Sequence, residues 1–327
     1  MPLSRRSFLA GAVAAPLLGG LAACAGTVVQ PGDLSRLRIM APASPGGGWD
    51  TTARVMQRVI QSSGLARNVQ VFNIEGAGGV IGLGQLGRED DDALLMMMGL
   101  VMVGAVDTNE SETRLDDVTP IARLIGETEL IVAAADAPFD DLEGFVEAWR
   151  ADPAGTPIAG GSAGGTDQIL AGLLAQAAGI DPGLINYIPY SGGGESLSAL
   201  LGGQVAAGIS GTADYGPQVQ GGDLVGLAVS TAERSDQVPD VPTLVESGFD
   251  VEVSNWRGVM ARPGMTDSAR EDLIQLVVDM HDSDEWAEAL ENNGWDDQLL
   301  TGDEYGEFLA EEETRVRQIL QEIGLIS

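Results

Sequence analysis

Four Gly-rich turns hold the residues best suited to chemistry: Pro45-Gly46-Gly47-Gly48-Trp49-Asp50, Gly76-Ala77-Gly78-Gly79, Gly160-Gly161-Ser162-Ala163-Gly164-Gly165 and Ser191-Gly192-Gly193-Gly194-Glu195. Each follows a short apolar stretch and precedes apolar residues at helical spacing. A helix N-terminus exposes unpaired backbone N–H groups and carries roughly half a positive charge. Glycine lets a ligand approach that backbone closely. The chemistry is therefore anion capture. A carboxylate gains ~0.3–1 kcal/mol per helix from the dipole, up to ~2 when partly buried, and charge-assisted hydrogen bonds add to it. Micromolar binding needs roughly -8 kcal/mol, which several converging turns could supply. The competing role for each turn is tight packing of a helix on a strand.

The elements that must position these turns are legible. Leu37-Arg38-Ile39-Met40 leads into the first turn, and Val55, Met56, Val59 and Ile60 mark the helix beyond it, which Gly64 stops. Residues 69–74 precede the second turn, and Leu83 and Leu86 mark its helix. Pro157-Ile158-Ala159 precedes the third, with Ile169, Leu170, Leu173 and Leu174 beyond. Residues 185–190 precede the fourth, with Leu197, Leu200 and Leu201 beyond. Alternating strands and helices predict parallel βαβ units, whose ligands gather at the carboxyl ends of the strands. Two turns come before residue 130 and two after it, so two α/β lobes sharing one cleft are expected. The uncharged run 93–106 is too short to span a bilayer and reads as a buried strand running into another element.

Composition removes other chemistries. The 327 residues carry a formal net charge of -32, with 49 acidic and 17 basic residues, every basic one an Arg. That balance repels nucleic acid and argues against docking on anionic lipid by charge. Absence of Lys excludes a phosphate-binding P-loop and a lysine Schiff base. One Cys and one His, His281, leave no internal disulfide and almost nothing for a metal site. No cofactor and no metal are expected. Two readings of this balance compete: a coding bias that replaces Lys with Arg, and a saline habitat that favours an acidic surface.

The first residues read as an address. Ser4-Arg5-Arg6-Ser7-Phe8-Leu9 opens an uncharged run to residue 23, the pattern of a twin-arginine export signal. Leu21-Ala22-Ala23-Cys24 resembles a bacterial lipobox, so residues 1–23 are expected to be a signal peptide, Cys24 the lipidated residue and 24–35 a tether. Two acyl chains suffice for stable anchoring at the outer face of the membrane.

The turns, with Leu200-Leu201-Gly202-Gly203-Gln204 and Asn255-Trp256-Arg257-Gly258-Val259, resemble the receptors of the tripartite tricarboxylate transporter family, the Bug-type extracytoplasmic solute receptors. The resemblance covers nearly the whole mature chain. It implies a type II periplasmic-binding-protein fold, a carboxylate ligand such as citrate or a dicarboxylate, and partners that are one large and one small integral membrane subunit. It also implies no enzymatic activity and a monomer. On that fold residues 36–130 and 232–327 would form one lobe and 131–231 the other, with crossings near 131–133 and 227–229. The C-terminal helix would return to the first lobe.

The candidate ligand-binding residues are Gly46, Gly47, Gly48, Trp49, Asp50, Gly78, Gly79, Ser162, Thr166, Asp167, Gln168, Ser191, Gly192, Ser210 and Trp256. Asp50 and Asp167 each serve as helix caps or order a ligand hydroxyl. Arg257 either pairs internally or reaches the ligand. Many relatives carry His where this chain has Gln168, which cannot become cationic.

Two rival functions remain open. Gly160-Gly161-Ser162-Ala163-Gly164 fits the nucleophile elbow of a serine hydrolase, with His281 and Asp214, Asp236 or Asp240 downstream. A solute sensor for a signalling receptor would bind the same ligand and dock elsewhere.

Overall fold

The computed structural model describes Leu34 and residues 36–161, 163–190 and 193–327. The signal segment, Cys24 and the tether apart from Leu34 lie outside the described residues, as do Ser162, Ser191 and Gly192.

Strand β1 (Arg36–Ala41) sends Leu37, Ile39 and Ala41 into one core and Met40 into another, the two-residue period of a strand with both faces covered. Helix α1 (Gly48–Ser62) returns over the first core with Val55, Met56, Val59 and Ile60. It ends where Gly64 takes a left-handed φ of +74°. Then follow β2 (Asn68–Asn73), α2 (Val80–Leu86), β3 (Leu94–Gly99), α3 (Leu100–Thr108) and β4 (Thr119–Gly126). The uncharged run is thus a buried strand continuing into a helix.

The chain then enters a second sheet: β5 (Glu129–Ala134), α4 (Leu142–Ala151), β6 (Ile158–Gly160), α5 (Thr166–Ala177), β7 (Tyr187–Pro189), α6 (Gly193–Leu201), β8 (Ala207–Gly211), α7 (Thr212–Gly221) and β9 (Leu224–Val229). It returns through β10 (Arg257–Ala261), α8 (Asp267–His281), α9 (Asp284–Asn293), β11 (Asp296–Thr301) and α10 (Gly302–Glu322).

The strand orders are β11-β4-β10-β3-β1-β2 and β7-β6-β8-β5-β9. Both sheets are mixed. The βαβ units that carry the Gly-rich turns are parallel, whereas β10 runs antiparallel to β3 and β4, and β5 antiparallel to β8 and β9. The antiparallel strands are those beside the changes of sheet, which helical periodicity does not reveal. Segments 131–133 and 227–229, where the crossings were expected, pair with each other inside the second sheet, Ile131 opposite Ala228. The chain changes sheet at Glu127-Thr128 and again between Val229 and Arg257. These passages lie side by side: the Glu127 N–H donates to Asn255 O at 3.2 Å and the Asn255 N–H to Glu127 O at 3.0 Å.

Helix α10 touches elements of both sheets. Tyr305, Val316, Ile319 and Leu320 are buried in one continuous core with Met98 and Val103 from the first sheet side and Ile169 and Leu174 from the second. Gly172 on α5 makes room for it, since a Cβ there would fall 2.9 Å from both Ile319 and Ile323.

Candidate functional site

A cavity of about 350 Å³ opens between elements of the two sheets. Three helix starts reach it: Gly46, Gly48 and Thr51 at α1, Asp167 at α5, and Gly211, Ala213 and Asp214 at α7. The changes of sheet supply Glu127, Asn255 and Arg257, and β5 supplies Glu129.

The α1 turn is braced from within. Gly46 takes a φ of +85°, a conformation that favours glycine, and its N–H donates to Asp50 Oδ2 at 2.8 Å. Arg54 Nε donates to the same oxygen at 2.8 Å and Asn73 Nδ2 to Oδ1 at 2.9 Å. Burial by itself would raise the Asp50 carboxyl, but the bonds from Arg54, Gly46 and Asn73 outweigh it and hold it down at about 2. Asp50 is a brace of the turn, and the cap position belongs to Gly47.

Arg257 reaches under this turn. Its Nη1 donates to Gly48 O at 3.3 Å and to Thr52 Oγ1 at 3.0 Å, and its Nη2 to the Glu127 carboxylate. A Cβ on Gly48 would fall 2.6 Å from Nη2, so this glycine exists for the guanidinium as well as for any ligand. Arg257 both pairs internally and lines the cavity.

The second sheet contributes acid. Asp167 accepts the Gly161 N–H at 2.5 Å. It is enclosed by protein yet keeps part of its surface on the cavity. Burial and the nearby Asp214 charge push its carboxyl up to about 7. Ser210 Oγ donates to Asp214 Oδ2 at 2.8 Å. Glu129 is buried, and desolvation, then the charges of Asp167, Glu127 and Asp214, push its carboxyl well above the usual range. Its Oε2 has no hydrogen-bond partner among the described residues. The Tyr187 hydroxyl donates to Gly161 O at 2.9 Å and fixes the third turn.

The expected residues separate into two groups. Gly46, Gly48, Asp167 and Ser210 come together on the cavity wall. Thr166 stands just behind, its hydroxyl donating to Asn255 Oδ1 at 3.3 Å. Gln168 turns back on its own loop, where Oε1 accepts the Gly164 N–H at 2.8 Å. Gly78 and Gly79 lie against α3, where added Cβ atoms would strike Ala105 and Met102, so the second turn packs a helix tightly. Trp49 packs across Gly79 and Gly99. Trp256 points to the opposite side from Asn255 and Arg257, as alternation along an extended chain requires. Its Nε1 donates to Glu312 Oε2 at 2.9 Å, among Tyr305 and Phe308.

Glu127, Glu129, Asn255 and Asp214 were not among the expected binding residues. Their signal was present: Glu127 and Glu129 interrupt the otherwise uncharged run 124–133, and charge inside a largely apolar stretch calls for a reason. His281, the proposed hydrolase base, instead faces Asp297 at 3.0 Å and Asp282 at 3.3 Å near the surface.

Comparison with known proteins bears on the family and the fold. The family model described as the tripartite tricarboxylate transporter family receptor matches residues 52–325. Protein BugT of Bordetella pertussis is 29% identical over 299 residues, 88% of this chain and 89% of its own. A UPF0065 protein of Agrobacterium vitis is 30% identical over 252 residues, 74% of this chain and 70% of its own. MatC of Rhodopseudomonas palustris, solved with malate bound, shares the fold with a TM-score of 0.70 at 23% identity, over 87% of this chain and 98% of MatC. An R. palustris protein solved with adipate gives 0.75 at 20% identity, over 88% and 97%.

Proposed function

The chain belongs to the tripartite tricarboxylate transporter family of receptors, and we propose that it captures a small carboxylate outside the cytoplasm and delivers it to one large and one small integral membrane subunit. The observation that carries this reading is the start of α1, with Gly46 and Gly48 beside Arg257, on a cavity between the sheets. Such a start presents N–H donors and positive potential without any Lys. The malate and adipate held by two proteins of the same fold are ligands of that class.

The first sheet with its helices acts as one lobe and the second sheet, from Glu129 to Val229, as the core of the other, closing on the ligand. No helix among the described residues is long and apolar enough to cross a membrane. Attachment to the membrane is through lipidated Cys24, exposed by removal of residues 1–23, a reading supported by the lipobox-like Leu21-Ala22-Ala23-Cys24.

Melting-temperature shifts of the purified chain against di- and tricarboxylates, amino acids and aromatic acids test the reading. A ligand at 100 times its dissociation constant stabilises by about 2.7 kcal/mol, so a clear shift with at least one small carboxylate is expected. No shift with any acid, together with ester turnover that disappears in Ser162→Ala, would replace the receptor by a hydrolase.

A further inference from the structure

The cavity wall carries four carboxylates, Glu127, Glu129, Asp167 and Asp214, against one guanidinium, Arg257. Glu127 already holds Arg257. Asp167 and Asp214 lie in the first turns of α5 and α7, so the positive ends of those helices face the chain's own carboxylates. Gly193, at the start of α6, also lies against Asp214, where a Cβ would collide with it. The helix start left to a ligand carboxylate is that of α1, with Gly46 and Gly48 beside Arg257.

The opposite wall has a different requirement. Glu129 is 1% exposed, lines the cavity, and leaves Oε2 without a hydrogen-bond partner among the described residues. A buried carboxylate oxygen requires a donor. Among the described residues, no group of three or more His, Cys, Asp or Glu is arranged to hold a metal ion. An N–H donor on an organic ligand in the cavity would satisfy Oε2.

We propose that the ligand is an amino-carboxylate, its carboxylate held at Gly48 and Arg257 and its ammonium held at Glu129, with Asp167 and Asp214 close by. The assignment rests on the receptor reading above and narrows its substrate class. The two poles come from different sheets: α1 and Arg257 from the first, Glu129, Asp167 and Asp214 from the second. A ligand carrying both charges links them. An ammonium brings three donors and no acceptor, matching a wall of acceptors. A second carboxylate on that side would instead meet three acidic groups, Glu129, Asp167 and Asp214. Burial already pushes Glu129 and Asp167 towards their protonated forms, and a neighbouring cation restores the charged form.

Calorimetric titration of the full chain at pH 7.5 with matched pairs tests this: succinate against aspartate, glutarate against glutamate, butyrate against 4-aminobutyrate. In at least one pair the amine-bearing member is expected to bind 10-fold tighter or more. Glu129→Gln should shrink that preference 10-fold, and Asp214→Asn serves where the first variant does not fold. Plain acids binding as tightly as their amine partners would mean that a protonated Glu129 donates to a second carboxylate, which overturns the assignment and leaves the receptor reading standing. A preference unchanged in every variant that folds overturns it equally. Absence of binding by every compound, in protein shown folded by its melting transition, overturns both readings.

Discussion

The Arg257 guanidinium and the Glu127 carboxylate form an ion pair that ties β10 to the two-residue passage between β4 and β5. Trp295 Nε1 donates to the other oxygen of Glu127 at 2.9 Å. The pair thus sits where the chain first leaves one sheet and where it finally returns to it. On the function proposed above, a ligand held by Arg257 would be held at the joint between the sheets.

Arg257→Gln strips Glu127 of its charge partner inside a poorly hydrated site. Breaking one side of a buried pair costs about 3–5 kcal/mol. Glu127 is partly exposed, so the expected loss in denaturant unfolding is nearer 2–3 kcal/mol. Ligand affinity should fall at least 10-fold.

Gly48→Ala places a methyl 2.6 Å from Arg257 Nη2. The guanidinium must shift, at a cost of roughly 1–3 kcal/mol. Isothermal titration should show affinity reduced about 10-fold or more while the far-ultraviolet circular dichroism stays unchanged.

Asp50 gives a pH signature. Its carboxyl sits at about 2 when folded against a usual 3.8, so the stability it contributes is present above pH 4 and is lost as pH falls towards 2. Asp50→Asn should therefore lower the melting temperature at pH 7, with the gap to the parent narrowing as pH approaches 3. Arg54 is largely exposed, and screening limits its share of the effect.

Asp167 gives the opposite sign. Its carboxyl is raised to about 7 from a usual 3.8, so the folded state binds the proton more tightly than the unfolded chain. The stability it contributes is greatest below pH 4 and declines as pH rises to 7. Asp167→Asn should raise the melting temperature at pH 8 by about 2 °C or more and leave it nearly unchanged at pH 4. Melting curves of parent and variant across that range decide it.

Trp256→Phe tests the placement of an expected binding residue. The change removes the indole bond to Glu312 and some buried area, costing roughly 1–3 kcal/mol. Ligand affinity should stay within about twofold, because the side chain faces α10 and not the cavity.

Local pattern alone determined most of the elements. Apolar residues at helical spacing, Gly64 at the end of α1 and the uncharged run through β3 and α3 are short-range features with short-range causes. The same holds for the turn at Gly46 and Gly48, because a strand, glycines and a helix must meet there in sequence. Direction and partnership were decided by the tertiary structure. Whether β5 and β10 run antiparallel depends on which strands they insert between, and nothing within either strand specifies that. Two glycine turns of similar composition also diverged: Gly48 faces a cavity because Arg257 arrives from about two hundred positions away, while Gly79 faces Met102 and Trp49. The gathering of Glu127, Glu129, Asp167 and Asp214 on one wall is likewise a product of folding, since Asp167 and Asp214 stand far from Glu127 and Glu129 in the sequence and their shared environment exists only once the two sheets meet.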